Sequence, residues 1–375
     1  MADPILDEIS LTTQKEILPN ALQDNFFLDM PLLSFLRAKS FLPFTGGDDM
    51  QSVFLYAPLN GGAYASGDNF NITKPQTLAG TRFDPRLYEV SVVEFKEELL
   101  IHNKGPLAVY SLLDVDMRNA IQTISAIIGV AMHQHGQASG GAVGTDRSKQ
   151  LNGWAEAIND GVTSSWQGDE FTTYGTQTRN GAISAALNSI PYWAGDQSGN
   201  ALDVTYDVLE KRYQRASRGR VEPDLGVCNK ELFSAIKSRI QVQQRFDQIQ
   251  DPYWGVSGLK MNSAIIMKDD YFPSKVDGKN EAVLGNYLTS SFTSASSPDS
   301  NSNMPSSTTL QASEVFVWFN TSSMKFRISN SEEFGFGFTG FVPAQDNTRV
   351  VGQVKAAVNV QFQAPWANQQ IFGLK

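Results

Sequence analysis

Few side chains in this sequence have the types and spacing that chemistry requires. His133 and His135 are two of only three histidines, and on a helix their rings would point about 200° apart, where they cannot share a metal ion. The glycine-rich stretch 136–144 lacks the Gly-Lys-Ser/Thr ending of a phosphate-binding loop. The serines lack a Gly-x-Ser-x-Gly motif. These patterns predict no metal site, no cofactor and no nucleophilic active site.

Paired carboxylates leave one enzymatic alternative open. Asp269-Asp270 and Glu332-Glu333 are adjacent in sequence, whereas a glycosidase needs two carboxylates that face each other across the scissile bond. Adjacent acids are typical of solvated turns. We therefore expect a protein that is not an enzyme, and keep a carboxylate-dependent hydrolase that uses Asp270 or Glu332 as an alternative.

The composition indicates a protein that works through its surfaces. Charged residues make up 18 % of the chain, below an average of about 25 %. The net charge of −9 argues against nucleic-acid binding as the main task, because such binding depends on Lys and Arg neutralising phosphates. The sequence has one basic cluster, which we interpret as a helix end or a surface for ion pairs between subunits. Its members are Lys211, Arg212, Arg215, Arg218 and Arg220.

Nothing in the sequence indicates secretion or a membrane. The single cysteine, Cys228, excludes an intrachain disulfide. The first residues lack the basic and apolar regions of a secretory signal. The most apolar early stretch, 26–36, is too short to span a bilayer. We expect a soluble protein made in the cytoplasm.

A long helix is the best-defined element that the sequence predicts. Apolar residues recur at steps of three and four, which is the helical period. They are Leu113, Met117, Ala120, Ile121, Ile124, Ile127, Ile128 and Ala131. Asp114 and Asp116 lie in the first turns, and His133 and His135 in the last, so both ends complement the helix dipole. Gly136 ends the helix.

The segments before this helix predict an arm and a hairpin. Prolines break residues 1–50 into short apolar clusters, an arm that gains order by lying on other structure. Strand-like segments at 53–56 and 87–95 flank a middle rich in Gly and Asn. Two strands with a long polar connection form an extended hairpin.

The segments after the long helix alternate between helix and strand. A second helix is predicted at 202–217, and a third follows Asn229, a residue type that commonly caps a helix N-terminus. Strands are predicted at 315–319 and 324–328. The last strand, 350–362, alternates apolar and polar residues strictly, which predicts one buried face.

Four strings of residues, in this order, resemble the major capsid proteins of tailed bacteriophages, a family whose fold encapsulins share. They are Leu151-Asn152-Gly153-Trp154 with Ala157-Ile158-Asn159-Asp160, then Tyr174-Gly175-Thr176-Gln177-Thr178-Arg179, then Pro223-Asp224-Leu225-Gly226-Val227-Cys228-Asn229, and last Val315-Phe316-Val317-Trp318-Phe319-Asn320-Thr321 with Met324-Lys325-Phe326-Arg327. The second string is similar to the family's Tyr-Gly-Gly-x-x-Arg turn. The ending Phe362-Gln363-Ala364-Pro365 follows the family's Arg-Asn-Pro ending only loosely.

The resemblance implies an α+β phage major-capsid fold over nearly the whole chain. Its parts are an N-terminal arm at 1–50, an extended β-hairpin loop at 51–100, a long spine helix and peripheral domain at 101–222, an axial domain at 223–345, and a C-terminal strand at 346–375 that returns to the peripheral domain.

The same resemblance implies a structural protein of the virion. Hexamers and pentamers would self-assemble into an icosahedral viral head in the host cytoplasm, enclosing double-stranded DNA without sequence-specific binding and without a membrane. A separate scaffolding protein, a portal and decoration proteins are the expected partners. An encapsulin-like nanocompartment shell is the alternative that keeps the fold.

The expected contacts between subunits lie in the loop and the basic cluster. They are Lys74, Arg82, Asp84, Arg212 and Arg215. Lys74 occupies the loop in which some members of the family carry a crosslinking lysine. Because a Gly-rich hairpin has little packing of its own, we expect the loop to be poorly ordered in an isolated subunit and ordered in the shell.

Overall fold

The structure is a computed structural model. It describes residues 31–70, 72–96, 112–133, 136, 149–161, 171–179, 193–202, 204–240, 248–250, 257–269, 271–272, 292–293, 309–310, 315–331, 333–343 and 348–374. The first thirty residues of the predicted arm and His135 lie outside these ranges.

The described ranges form helices and many short strands. The helices are α1 (Pro31–Lys39), α2 (Leu112–Met132), α3 (Trp154–Ala157), α4 (Tyr206–Ala216) and α5 (Lys230–Ile240). The strands up to α5 are β1 (Phe41–Phe44), β2 (Met50–Leu55), β3 (Leu78–Phe83), β4 (Arg86–Phe95), β5 (Thr173–Tyr174), β6 (Gln177–Thr178), β7 (Asp196–Leu202) and β8 (Leu225–Cys228).

Strands dominate the remainder of the chain. They are β9 (Gln248–Gln250), β10 (Ser257–Met261), β11 (Ala264–Lys268), β12 (Phe292–Thr293), β13 (Thr309–Leu310), β14 (Phe316–Phe319), β15 (Met324–Ser329), β16 (Gly335–Phe338), β17 (Val342–Pro343), β18 (Arg349–Phe362) and β19 (Gln369–Leu374). One turn of 3-10 helix at Pro365–Ala367 separates the last two.

A six-stranded sheet is built around β18, the strand that the alternating pattern predicted. β15, β16 and β17 follow one another antiparallel to β18. β4 also pairs antiparallel with β18, from Arg86 opposite Val358 to Phe95 opposite Arg349. β1 joins β15 in parallel. β18 is therefore central to this sheet. It was predicted to be the last strand of the chain, but β19 follows it.

A seven-stranded sheet has the order β7-β19-β14-β8-β11-β10-β9. Its central strands are buried on both faces, which explains why they read as continuous apolar runs. In β14, Val317 and Phe319 belong to one apolar core, whereas Phe316 and Trp318 belong to a second core that includes residues of α4 and α5. The first core continues into the six-stranded sheet, α1 and α2, so it holds the two sheets together.

The long helix is confirmed, and α2 packs against β4 and β18. Ala120, Ile124 and Ile128 are buried as the stripe predicted. Ile121 is not, since 45 % of it is exposed; it lies about 100° around the helix from Ala120, outside the covered side. No helix in the described part of the chain is long and apolar enough to cross a membrane.

Two predicted helix starts have different outcomes. α5 follows Asn229, whose Oδ1 accepts a hydrogen bond from the amide of Leu232 at 2.7 Å, as predicted. The predicted start of α4 at Leu202 is wrong. Thr205 caps this helix, because its Oγ1 accepts from the amide of Val208, and Leu202 ends β7 instead.

The hairpin forms, but the prediction named the wrong second strand. β2 pairs with β3, residues 78–83, which follow the Gly- and Asn-rich middle directly. The segment expected to complete the hairpin, 87–95, lies in β4 and pairs with β18. Asp84 and Pro85 separate β3 from β4, so one continuous strand-like segment divides its pairing between two sheets.

Candidate assembly surfaces

The β2–β3 hairpin has one face turned toward its own subunit and one turned away. Met50, Thr81 and Phe83 are buried on the inner face. On the outer face, Val53 is 69 % and Leu55 is 70 % exposed. Of the fourteen exposed large apolar residues in the described ranges, seven lie between positions 53 and 78. Exposed apolar area of this kind marks surfaces that bind other protein.

The base of the hairpin is fixed to the subunit by aromatic packing and by the turn between β5 and β6. The ring of Phe54 stacks on Trp193, with centroids 4.5 Å apart. The Arg82 amide donates to the carbonyl of Gly175 at 3.1 Å, and the Gln177 side chain donates to the carbonyl of Gly80. These contacts set the direction in which the hairpin leaves the subunit.

The tip of the hairpin is held by contacts within itself. Asn60 donates through Nδ2 to the carbonyl of Thr73 at 2.8 Å. The rings of Tyr64 and Phe70 meet edge to face, 5.1 Å apart, and both side chains are exposed. The tip therefore presents apolar and aromatic groups on an internally hydrogen-bonded loop.

A second exposed apolar area lies on the outward face of the six-stranded sheet. Val93 of β4 and Val342 of β17 both lie opposite Val351 of β18, so the three share one face. Leu87 occupies the same face of β4, and Leu87, Val93 and Val342 are exposed. We call these three residues the outer sheet face.

The residues predicted to contact other subunits lie at two separate places. Lys74 is exposed between the tip and β3. Arg82 Nε lies 3.5 Å from Asp49, and Asp84 lies 3.9 Å from Arg86. Arg212 and Arg215 lie on α4, the first partly buried and the second exposed. Of the five residues predicted from the sequence, Lys74, Arg82 and Asp84 thus lie along or next to the hairpin, and the other two lie on α4.

The candidate catalytic acids have structural contacts. Asp269 is buried, accepts from the amide of Tyr271 at 2.9 Å, and lies 3.8 Å from His133. Glu333 forms an ion pair with Lys355 at 2.9 Å. Asp270 and Glu332 lie outside the described residues. Within those residues, no group of three or more His, Cys, Asp or Glu side chains is placed to hold a metal.

The sequence pattern predicted that His133 is a charged residue at the end of the long helix. The structure contradicts this prediction. His133 is buried, and its Nδ1 accepts a hydrogen bond from Trp154 Nε1 at 2.8 Å. An accepting nitrogen carries no proton. Burial lowers the pKa of His133 to about 3, so the ring is neutral at neutral pH and joins the end of α2 to α3.

The sequence predicted no role for Arg179, although the string that contains it, Tyr174 to Arg179, resembles a turn of the capsid family that ends in Arg. Arg179 is fully buried, and its guanidinium donates to the carbonyls of Glu156, Ala157 and Trp193. It also lies over the ring of Tyr174. Burial lowers its pKa to about 10, so the side chain is charged at neutral pH and joins α3 to the turn beneath the hairpin.

A second joint forms where the chain passes from β14 to β15 and thus from one sheet to the other. The carboxylate of Asp224 accepts from both the amide and the hydroxyl of Thr321. The amide of Asn320 donates to Asn368 Oδ1 at 2.8 Å. Ser40, just after α1, donates to the carbonyl of Thr321 at 2.8 Å. The third and fourth strings that resemble the capsid family therefore contact each other at this joint.

Solved structures of shell subunits share this arrangement of elements. The capsid subunit of cyanophage A-1(L) matches with a TM-score of 0.62 at 9 % identity, over 96 % of this chain and 98 % of that chain. The chain has the phage capsid fold. The holo-SrpI encapsulin complex from Synechococcus elongatus matches with a TM-score of 0.54 at 8 % identity, over 100 % and 96 % of the two chains.

A third capsid has the same fold at similar distance. The capsid of the native GTA particle matches with a TM-score of 0.53 at 9 % identity, over 96 % of this chain and 93 % of that chain. No protein-family model matches the sequence, and no curated protein does. At identities this low, the property that these proteins share with this chain is the capsid fold. The strings that resemble the family in sequence contain residues of the joints at Arg179 and Asp224.

Proposed function

We propose that this chain is the major capsid protein of a tailed bacteriophage, which assembles as hexamers and pentamers into an icosahedral head around double-stranded DNA. The observation that carries the proposal is a capsid fold over nearly the whole length, 96 % of this chain against 98 % of the A-1(L) subunit. A match of both lengths leaves little of the chain for a separate activity.

The parts of a capsid subunit can be assigned to the elements of the fold. The arm is 1–50, the extended loop is 51–100, the spine helix and peripheral domain are 101–222, the axial domain is 223–345, and the returning strand is 346–375. Strands β15 to β17 pair with β18. The end of the proposed axial domain and the returning strand therefore share one sheet.

Two apolar surfaces support assembly with further copies. The outer face of the hairpin, with Val53 and Leu55, and the outer sheet face, with Leu87, Val93 and Val342, are both exposed in the single subunit. In a shell, the hairpin of one subunit lies over its neighbour, and both areas lose contact with water. Burial of apolar area is the main favourable term in association.

Enclosed DNA needs no specific binding site. A net charge of −9 keeps the affinity for phosphate low, since each neutralised phosphate raises affinity steeply at moderate salt. A separate scaffolding protein, a portal and decoration proteins complete the proposed assembly, which takes place in the host cytoplasm and yields a virion component.

Electron microscopy of the purified protein, alone and with its scaffolding protein, tests the proposal. We expect closed icosahedral particles with six-fold and five-fold clusters, and nuclease-resistant double-stranded DNA in particles from infected cells. A protein that stays monomeric at high concentration in both preparations would contradict it.

An encapsulin-like nanocompartment is the second candidate, favoured by the match to the SrpI subunit over 100 % of this chain. The contents of purified particles distinguish the two functions. Particles that hold DNA support the phage head, and particles that hold a second protein and no DNA support the compartment.

A further inference from the structure

Several strands of the described sheets have one side without a pairing strand, among them β7 and β9 at the edges of the seven-stranded sheet. For three others, the hydrogen bonds show which residues face outward and how that side is protected. These strands are β1 and β4, at the edges of the six-stranded sheet, and β2 in the hairpin. An unprotected strand edge offers a row of N–H and C=O groups to another chain. Natural proteins block such edges with proline, charge, bulges or covering structure.

The outward groups of β2 follow from its pairing. The amide of Tyr56 donates to the carbonyl of Thr77, so even-numbered residues of β2 point into the hairpin and odd-numbered residues point away from it. Arg82 in β3 donates outward to Gly175, which fits the same alternation. The outward groups of β2 are therefore those of Gln51, Val53 and Leu55, and no described residue hydrogen-bonds to them.

The corresponding side of β3 is covered. Its outward groups at Gly80 and Arg82 are hydrogen-bonded to Gln177 and Gly175 of the turn between β5 and β6. The carbonyl of Leu78 accepts from the side chain of Gln76. The outward backbone groups of β2 have no such contacts, in the part of the chain that the structure describes.

The free edges of β1 and β4 in the six-stranded sheet carry protection. In β1, the carbonyls of Ser40 and Phe44 face β15, so Pro43 lies at a position that faces away and supplies no N–H there. In β4, the amide of Lys96 donates to Thr348, so odd-numbered residues face away, and Glu89 lies in the middle of that edge. If two copies of β4 paired about this position, the two Glu89 carboxylates would lie close together and repel each other.

Strand β2 has neither device. From Met50 to Pro58 the sequence contains no charged residue, and it has no proline before Pro58. Two copies of this strand can therefore pair antiparallel about Val53 without bringing like charges together. Gln51 then lies opposite Leu55 of the partner subunit, and all outward groups of both strands are hydrogen-bonded.

We propose that β2 is an isologous interface, at which two copies of this chain pair edge to edge about Val53 and join their hairpins into one four-stranded antiparallel sheet. A contact that uses the same patch twice is the hallmark of two-fold symmetry. The pairing also continues the exposed apolar face, because Val53 lies beside Val53 of the partner subunit, and Leu55 of each copy lies on that same face. A two-stranded hairpin is marginal alone, and four strands are not.

Disulfide trapping of assembled protein tests the register. Directly opposite residues in a hydrogen-bonded antiparallel pair have Cα atoms about 5.5 Å apart, within disulfide reach. Val53→Cys should therefore form dimers under mild oxidation, and so should the double variant Gln51→Cys with Leu55→Cys. Leu55→Cys alone should not, because the two copies of Leu55 lie about 14 Å apart along the strands.

Two further features make this test selective. The native Cys228 is fully buried, and burial raises the pKa of its thiol, so it does not compete. Ile72→Cys, at the exposed tip, measures crosslinking by collision. Dimer formation by Val53→Cys no greater than by Ile72→Cys would overturn the proposal, as would efficient crosslinking of Leu55→Cys alone.

A backbone variant tests the hydrogen bonds themselves. Val53→Pro removes an N–H that faces away from β3, as Pro43 does in β1, and leaves the β2–β3 pairing intact. It should weaken association through this edge about tenfold or more, since each two-fold contact loses two hydrogen bonds. Val53→Thr, which keeps the N–H, is the matched control. Equal association of the two variants would overturn the proposal.

The inference rests on the proposed function only in taking a second copy of this chain as the partner. If the Val53→Cys variant forms closed particles without disulfide-linked dimers, the pairing is overturned and the capsid function stands. If the same variant forms disulfide-linked dimers, and neither it nor the native chain forms particles, the pairing is supported and the capsid function is contradicted.

Discussion

Gly175 and Thr176 both have left-handed backbone, with φ of 56° and 66°, and should respond in opposite ways to substitution. Thr176 is β-branched, and the left-handed region costs such a residue roughly 1–2 kcal/mol. Thr176→Gly should therefore raise the free energy of unfolding by about 1 kcal/mol. Glycine is also the residue that the family's Tyr-Gly-Gly-x-x-Arg turn has at this position.

The neighbouring glycine gives the matched contrast. A Cβ on Gly175 would lie 2.5 Å from the ring of Phe83, so Gly175→Ala combines backbone strain with a clash against the hairpin base. It should lower the free energy of unfolding by more than about 2 kcal/mol. Urea unfolding of both variants measures these effects, and a destabilising Thr176→Gly would contradict the strain argument.

His133 should make the subunit sensitive to mild acid. Its pKa is about 3 in the folded protein, against 6.5 ordinarily, so the unfolded chain binds the proton first as pH falls. The stabilisation is complete above about pH 6.5 and declines as pH falls toward 3; between pH 6.5 and 4.5 the loss is about 2–3 kcal/mol. Urea unfolding of dissociated subunits at several pH values measures it.

Asp269 is the carboxylate that faces His133, so the test needs a variant that removes the ionisable ring and leaves Asp269 in place. His133→Asn keeps an acceptor for the indole N–H of Trp154 and cannot be protonated. It should be less stable than the native chain at pH 7 and should lose most of the decline between pH 6.5 and 4.5. An unchanged decline in His133→Asn would assign the acid sensitivity to other groups.

At the scale of elements, the hairpin should show two levels of protection from hydrogen exchange. Its base is buried around Met50, Thr81 and Phe83, whereas the described tip residues 60–70 and 72–77 depend on contacts within the tip. In an isolated subunit the tip amides should therefore exchange fast, and they should slow on assembly, when a neighbour covers them. Equally slow exchange in subunit and shell across 60–80 would contradict this.

The elements also show what the sequence could predict and what it could not. Helical period and alternation located α2 and β18, because each buries one stripe against the core. The same alternation did not reveal that Asn359 and Gln361 are buried too. Asn359 hydrogen-bonds to Asn152 and to the carbonyl of Asp84, partners more than two hundred residues away along the chain, which no local pattern contains.

The prediction of which strand pairs with β2 was wrong for the same physical reason. The segments 78–83 and 87–95 have similar β propensity, and only tertiary contacts decide which of them meets β2. The predicted contacts between subunits remain predictions, because the structure of a single subunit contains no neighbouring copy. The residues are Lys74, Arg82, Asp84, Arg212 and Arg215. Their placement on a projecting hairpin and a surface helix is compatible with contacts to other copies.

At the scale of the whole molecule, one continuous core joins two sheets of different composition, and the polar joints at Arg179 and Asp224 fix their connection. The two sheets are thus connected both by packed apolar side chains and by hydrogen bonds at the joints. Buried or partly buried residues of the sequence motifs that resemble the capsid family, among them Arg179, Asp224 and Thr321, lie at these joints. We therefore expect residues outside these joints to decide which surfaces meet on assembly.

Helix α4 offers such residues. Asp207 forms an ion pair with Lys211 at 2.7 Å, and Glu210 hydrogen-bonds to Gln214 and Asn262, so its acids are already bonded within the subunit. Arg212→Glu or Arg215→Glu should harm shell assembly or stability more than DNA retention. The defect relative to the native chain should shrink as salt screens exposed ion pairs.

The matched control is Lys211→Glu, which makes the same change in net charge on the same helix but faces Asp207 of its own subunit. Sedimentation and electron microscopy at low and high salt measure assembly, and nuclease-protected DNA measures retention. We expect Lys211→Glu to assemble nearly as the native chain does, because exposed pairs within a helix contribute only about 0.3–0.5 kcal/mol. Normal assembly of both arginine variants, with heads that retain DNA poorly, would instead place these arginines against DNA.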